Sequence, residues 1–180
     1  GIPVVPINHM EGHILASIFD GHTIPDLVFP AVSLLISGGH TELILIREWG
    51  EYARIGETRD DAVGEAFDKT ARMLGLPYPG GPEISNLARD ARKNQVESFV
   101  QLPRPMLESG DYDFSFSGLK TAVRYAVQDK TLSHNDKIGI AREFEEAVTA
   151  VLLRKTKNAL MEYNAQTLIV GGGVSANTYI

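Results

Sequence analysis

Residues 31–46, AVSLLISGGHTELILI, decide the fold. Two apolar runs, AVSLLIS (31–37) and TELILI (41–46), are joined by GGH. Such a pair reads as two strands of a hairpin with an unusually Gly-rich turn. Downstream, EYARIG (51–56) reads as a third strand, and TLIV (167–170) as a buried strand that ends at GGG. Helical patterns lie between them. DDAVGEAFDKTARMLG predicts a helix over about 60–74, with Val63, Phe67, Ala71 and Leu74 on one apolar face and Gly75 as its stop. YPGGPEISNLARDA reads as a turn followed by a helix, and SGLKTAVRYAV starts another. IGIAREFEEAVTAVLLRKTKNALMEY predicts a long amphipathic helix, with Ile140, Phe144, Val148, Val151 and Leu152 facing inward. Residues 93–116, with Pro103 and Pro105, read as irregular. Upstream of the hairpin, residues 3–7 read as a short buried strand and 9–20 as a helix capped by Asn8. Residues 21–30, carrying Gly21, Pro25 and Pro30, read as a loop or lobe boundary. Strands alternating with helices predict an α/β architecture.

Composition narrows the function classes. The 180 residues suffice for one good-sized core or two small lobes. A hydrophobic fraction of 43% and a charged fraction of 22% are those of an ordinary globular protein. The absence of cysteine excludes disulfides and thiolate metal sites and fits a reducing compartment. No run reaches the length of a membrane span. The net charge of −6 argues against a self-sufficient nucleic-acid binder. Two small basic clusters, Arg89/Arg92/Lys93 and Arg154/Lys155/Lys157, read as solvated helix faces. The sequence lacks an initiator Met, opens on PVVPI and stops at GGGVSANTYI where a helix should begin, so a central fragment of a longer protein is expected.

Several stretches carry chemistry. In NHMEGH, Asn8 to His13, a helix places His9 and His13 one turn apart on one face. Two imidazoles so placed can hold a cation, or be two exposed polar residues. Glu11 lies about 200° around the helix from each, which does not suit the general-base role of H-E-x-x-H. Asn8-x-x-Glu11 instead fits a variant capping box. A metal would need a third ligand: His40 within this sequence, or a carboxylate beyond its end. In SGGHTE, Gly38-Gly39 between Ser37 and Thr41 is either a nest for anionic oxygens or a plain tight hairpin. In LIVGGGVSAN, an apolar strand runs through three glycines into a helix start with Ser175 as N-cap, the layout of a nucleotide-binding turn. Asp68 binds a sugar hydroxyl or sits on a solvated face, and PYPGGP (77–82) is turn chemistry first. No nucleophile elbow, P-loop or cysteine nucleophile supports a covalent hydrolase.

Taken together and in order, HMEGH, LLISGGHTEL, DDAVGEAFDKTARMLGLPYPGGP, DFSFSGLKTAV and GGGVSAN resemble the tRNA threonylcarbamoyladenosine transferase family. Its bacterial members are called TsaD, and its older name is O-sialoglycoprotein endopeptidase. The resemblance spans nearly the whole sequence. It implies the two-lobed fold of actin, sugar kinases and heat-shock ATPases, here truncated at both ends. Residues 1–28 would end the first lobe, and 29–180 would form an incomplete second lobe. It implies transfer of a threonylcarbamoyl group from threonylcarbamoyl-adenylate to the exocyclic amine of the adenosine beside the tRNA anticodon. By motif, His9 and His13 match metal ligands for one divalent ion, iron or zinc, with the third ligand expected outside this sequence. Leu35, Ile36, Ser37, Gly38, Gly39, Asp68, Gly81 and Asn177 match substrate-binding positions. The implied partners are tRNA and TsaB-like and TsaE-like proteins, in the cytoplasm and without a membrane. With a metal site and nucleotide cleft both incomplete, the 180 residues alone are expected to be inactive. The alternatives are a metal-dependent peptidase, disfavoured by the register of Glu11, a non-catalytic scaffold paralogue, which has no need of paired histidines, and a sugar kinase of the same fold.

Overall fold

The computed structural model describes residues 2–4 and 8–180. Its centre is a mixed four-stranded sheet of β1 (Ala31–Ile36), β2 (Thr41–Glu48), β3 (Glu51–Glu57) and β4 (Thr167–Gly171), in the order β3-β2-β1-β4. The 31–46 hairpin pairs as the sequence predicts, with Ala31 opposite Ile46 and Ile36 opposite Thr41. β4 lies parallel to β1, Ala31 opposite Thr167. The α/β class therefore holds.

Alternation along β1 and β2 divides the core. Val32, Leu34, Ile36, Leu43 and Leu45 point to a large cluster with the helices α2 (Val63–Met73), α3 (Gly80–Lys93), α4 (Ser117–Val127) and α5 (His134–Glu162). Ala31, Leu35, Ile44, Ile46 and Ile169 point the other way, against Ile14 of α1 (His9–Ile18). Because both faces are covered, the two runs are apolar throughout. The inward positions expected on α2 and α5 are buried, and Phe67 meets Phe144 edge-to-face at 5.0 Å between ring centres. α1 lies on β4 where Gly171 leaves room: a Cβ there would collide with the Ser17 side chain.

Several expectations are corrected. Pro3 and Val4 are exposed and outside any strand; the remainder of the expected strand over 3–7 lies outside the described residues. α1 ends at Ile18 and not at 20. α2 begins at Val63, because Asp60 and Asp61 serve other elements. The Asp60 carboxylate accepts from the amides of Phe116 and Ser117 and the hydroxyls of Ser115 and Ser117, capping α4. Asp61 pairs with Lys69 at 2.8 Å and Lys120 at 2.9 Å. α5 starts a turn earlier than its apolar pattern, at a capping box formed by Ser133 and Asp136. β4 is half-buried, not buried: Leu168 and Val170, in register with Val32 and Leu34, share the face of the α2–α5 cluster, but that helical layer stops short of covering this edge strand.

The basic clusters are not simply solvated. Lys155 is 1% exposed and donates to the Ser109 hydroxyl at 2.8 Å and to the Asp111 carbonyl at 3.0 Å. With Glu143, which accepts from the Leu102 amide at 2.9 Å and pairs with Arg104, it straps the irregular segment 94–116 onto α5. Arg92 binds the fully buried Glu145 at 2.7 Å.

Candidate metal and nucleotide site

The β1–β2 turn organises the site. The Ser37 hydroxyl accepts from the amides of Gly39 at 3.3 Å and His40 at 3.0 Å, and the Ser37 amide donates to the His40 carbonyl at 2.8 Å. Two amides of the expected nest are thus turned onto Ser37. α2 abuts this turn closely. The Gly64 amide donates to the Ser37 carbonyl at 3.1 Å, and a Cβ at position 64 would stand 2.7 Å from that carbonyl oxygen and 2.9 Å from Gly38 backbone atoms.

One side of the turn presents His40 to α1. The Nε2 atoms of His9 and His13 are 3.0 Å apart, and one ligating nitrogen from each of His9, His13 and His40 lies within 4.8 Å of the others. Three imidazoles suit zinc, iron and other first-row divalent ions. Bonds of about 2.1 Å in a tetrahedral array put ligand atoms about 3.4 Å apart. The 3.0 Å spacing of His9 and His13 lies close to that value and no pair exceeds 4.8 Å, so the residues fit a single ion after side-chain adjustment. The Asn8 carboxamide caps α1 by accepting from the Met10 amide at 3.0 Å. Glu11 does not complete a capping box: its carboxylate accepts from the Tyr52 hydroxyl at 3.0 Å and so ties α1 to β3. Burial of Tyr52, then this bond, raises the phenol above its ordinary value. Glu11 is thereby committed away from the histidines.

The other side of the turn opens on a cleft of about 350 Å³. Its walls are Gly38; Gly64, Phe67 and Asp68 of α2; the start and exposed face of α3 from Gly81 to Arg89; and the segment after β4, including Gly173, Ala176 and Asn177. Of the positions picked out by family likeness, Gly38, Asp68, Gly81 and Asn177 line it. Leu35 and Ile36 are buried in β1, and Ser37 and Gly39 belong to the turn beside it. Asp68 neither floats in solvent nor stands free: its carboxylate accepts from the Gly80 amide at 2.8 Å and caps α3, whose own N-cap, Pro79, has no side-chain bond to give. Gly172, with φ 93°, turns the chain out of β4. The expected helix after it is a short 3-10 turn, Gly173–Ala176, and Ser175 lies within it instead of capping it, its hydroxyl donating to the Gly172 carbonyl at 2.7 Å.

Sequence reasoning missed Gly64, Ser85 and Asn86 as cleft residues, and Glu145 behind them. Glu145 left a legible mark: it interrupts the apolar stripe Ala141, Val148, Leu152 of α5. Its carboxylate also accepts from the Asn177 carboxamide at 2.6 Å.

An α/β scaffold with a glycine-walled cleft and a convergent histidine trio flanking one turn defines a protein with a candidate ligand cleft beside a candidate metal centre. More particularly, the chain belongs to the TsaD family, tRNA N6-adenosine threonylcarbamoyltransferase, whose model matches residues 1–180. It is 47% identical over 180 residues to the tRNA N6-adenosine threonylcarbamoyltransferase of Thermosipho africanus, covering 100% of this chain and 52% of that protein. The enzyme of the same name from Aromatoleum aromaticum is 49% identical over 179 residues (99% and 50%), and that from Methylobacillus flagellatus 50% identical over 179 residues (98% and 50%). The chain spans about half the length of these curated relatives.

Proposed function

We propose that these residues are the nucleotide- and metal-binding part of an enzyme that transfers threonylcarbamoyl from threonylcarbamoyl-adenylate to the exocyclic amine of the tRNA adenosine beside the anticodon. One observation carries this reading: Gly38 lines the cleft while His40, two residues on, joins the histidine trio. A single turn thus adjoins both a place for the AMP moiety and a place for the acyl end. The amine nitrogen forms a bond to the carbamoyl carbon and gives up one proton to solvent, the bond from that carbon to the phosphate oxygen breaks, and AMP leaves with the electron pair. A mixed anhydride is a good electrophile, so positioning and charge stabilisation suffice and no protein nucleophile is required.

His9, His13 and His40 would hold a divalent ion, iron or zinc, which supplies Lewis-acid polarisation and a template; a carboxylate outside these residues is a further ligand in this reading. Gly38, Asp68, Gly81 and Asn177, which line the cleft, bind the adenylate, and Leu35, Ile36, Ser37 and Gly39 hold the turn that presents Gly38. The two-lobed arrangement, divided after residue 28, belongs to the same proposal. So do a cytoplasmic setting and TsaB-like and TsaE-like partners, which would supply the tRNA surface that a net charge of −6 does not. Among the described residues no helix is long and apolar enough to cross a membrane. The peptidase alternative is disfavoured by Glu11, which is engaged by Tyr52.

The test is transfer of labelled threonylcarbamoyl from its adenylate to tRNA by the full-length protein with its partners. Label in tRNA, lost on His9→Ala/His13→Ala, is expected. Peptide hydrolysis without any tRNA labelling would overturn the proposal.

A further inference from the structure

Behind the cleft, three side chains from three elements form a chain of bonds centred on Glu145. Arg92 of α3 donates to Glu145 of α5 at 2.7 Å, and Glu145 accepts from the Asn177 carboxamide nitrogen at 2.6 Å. Glu145 is fully buried, so its charge requires these donors. The Arg92 guanidinium also stacks on Tyr179, 3.3 Å from the ring centre. The Asn177 oxygen is equally committed: it accepts from the amides of Tyr179 at 2.9 Å and Ile180 at 3.3 Å.

This fixes the orientation of the carboxamide. The atom facing two backbone N–H groups must be the oxygen, and the atom facing a carboxylate must be the nitrogen. The carboxamide nitrogen carries two hydrogens. One goes to Glu145, and the other has no partner among the described residues. Asn177 lines the cleft. From this we infer that Glu145, held by Arg92, is a positioning residue that locks Asn177 to present a hydrogen-bond donor, and never an acceptor, to the cleft's ligand. That donor selects an acceptor on the nucleotide: a ring nitrogen, a ribose oxygen or a phosphate oxygen. The inference rests on the nucleotide reading of the cleft. It also connects the cleft's two walls, because Arg92 lies one turn beyond the cleft residue Arg89 on α3 while Asn177 belongs to the opposite wall.

A charge-swapped pair separates fold from function. Asn177→Asp alone sets two carboxylates against each other and lowers thermal stability. Adding Glu145→Gln reverses the polarity of the bond. The glutamine nitrogen donates to the new carboxylate, the glutamine oxygen accepts from Arg92, and the amides of Tyr179 and Ile180 keep their acceptor. Stability returns, but the cleft now meets an acceptor.

The assay is calorimetric titration of AMP into the full-length protein, with unfolding temperatures measured in parallel. The double variant is expected to unfold near the wild-type temperature while binding AMP at least about tenfold more weakly, the loss of one hydrogen bond plus an unsatisfied group. Glu145→Leu, which adds no charge and preserves bulk, is expected to weaken AMP several-fold by releasing the carboxamide, and it decides the matter if the double variant does not fold. Wild-type AMP affinity in either variant overturns the positioning role while leaving the nucleotide cleft standing. Failure of the wild-type protein to bind AMP overturns both.

Discussion

Gly64→Ala places one methyl group where α2 meets the β1–β2 turn. Its carbon would stand 2.7 Å from the Ser37 carbonyl oxygen and 2.9 Å from two Gly38 backbone atoms, whereas ordinary contact begins near 3.4 Å. The obstructing atoms are backbone, so no rotamer change relieves them, and α2 must withdraw by several tenths of an ångström. Such overpacking costs about 1–3 kcal/mol. The bond from the Gly64 amide to Ser37, 3.1 Å, weakens with it, a further loss of up to about 1 kcal/mol. Replacing glycine in a helix returns about 0.5–1 kcal/mol. The middle of these ranges gives a net loss of about 2 kcal/mol, and at about 2–4 °C per kcal/mol, less in a longer chain, the unfolding temperature falls by roughly 4–8 °C. Gly118 is the control: it occupies the same second position in α4, and nothing lies within 4 Å of a Cβ there. Gly118→Ala should leave the unfolding temperature unchanged or raise it slightly. Calorimetry of the full-length protein, with AMP titration, measures both. Gly38 lines the cleft, so Gly64→Ala should also weaken AMP. Equal unfolding temperatures for the two variants would refute the claim that backbone contact pins α2 to the turn.

Three further outcomes are expected. His40→Ala, like His13→Ala, should lower bound metal in the full-length protein; undiminished metal by mass spectrometry would show that His40 is not a ligand. Asp60→Asn should lose about 1 kcal/mol at pH 7, because the amide nitrogen that replaces one carboxylate oxygen cannot accept from the Ser115 and Ser117 hydroxyls. Partial burial works to raise the Asp60 carboxyl, but the bonds from Ser115, Ser117 and the Phe116 and Ser117 amides outweigh it and hold the group below its ordinary value. A depressed folded value means a contribution present above about pH 4 and lost as pH falls through the folded value. Urea unfolding should therefore show the wild-type advantage at pH 7 shrinking at pH 3. Finally, Lys155→Met should stay within about 1 kcal/mol of wild type, since apolar bulk replaces a buried ion pair and the partly exposed Asp111 can rehydrate, whereas Lys155→Ala loses about 2–4 kcal/mol to a cavity.

The sheet and the helices were legible because their signals are local. Alternation in 31–46 and the apolar face of Val63, Phe67 and Ala71 are read within one element. What escaped was pairing between elements. Asp60 and Asp61 look like the first turn of α2 until Ser115 and Lys120 arrive from residues far along the chain. Arg92 and Lys155 look like surface charge until Glu145 and Asp111 meet them. Gly38, Asp68, Gly81 and Asn177 were singled out by likeness to a family, and the fold brings them to one cleft. Ser85 and Asn86, on a helix face with no motif of their own, carried no such mark.

Gly171 gives the candidate metal centre a remote determinant. His9 and His13 ride on α1, while His40 is fixed to the sheet. How deeply α1 sinks against β4 is limited by the missing side chain at 171, beneath Ser17. The separation of the three imidazoles is therefore governed by a residue outside the trio. The size of the gap between the imidazoles can thus drift through changes in helix-to-sheet spacing while all three histidines stay the same.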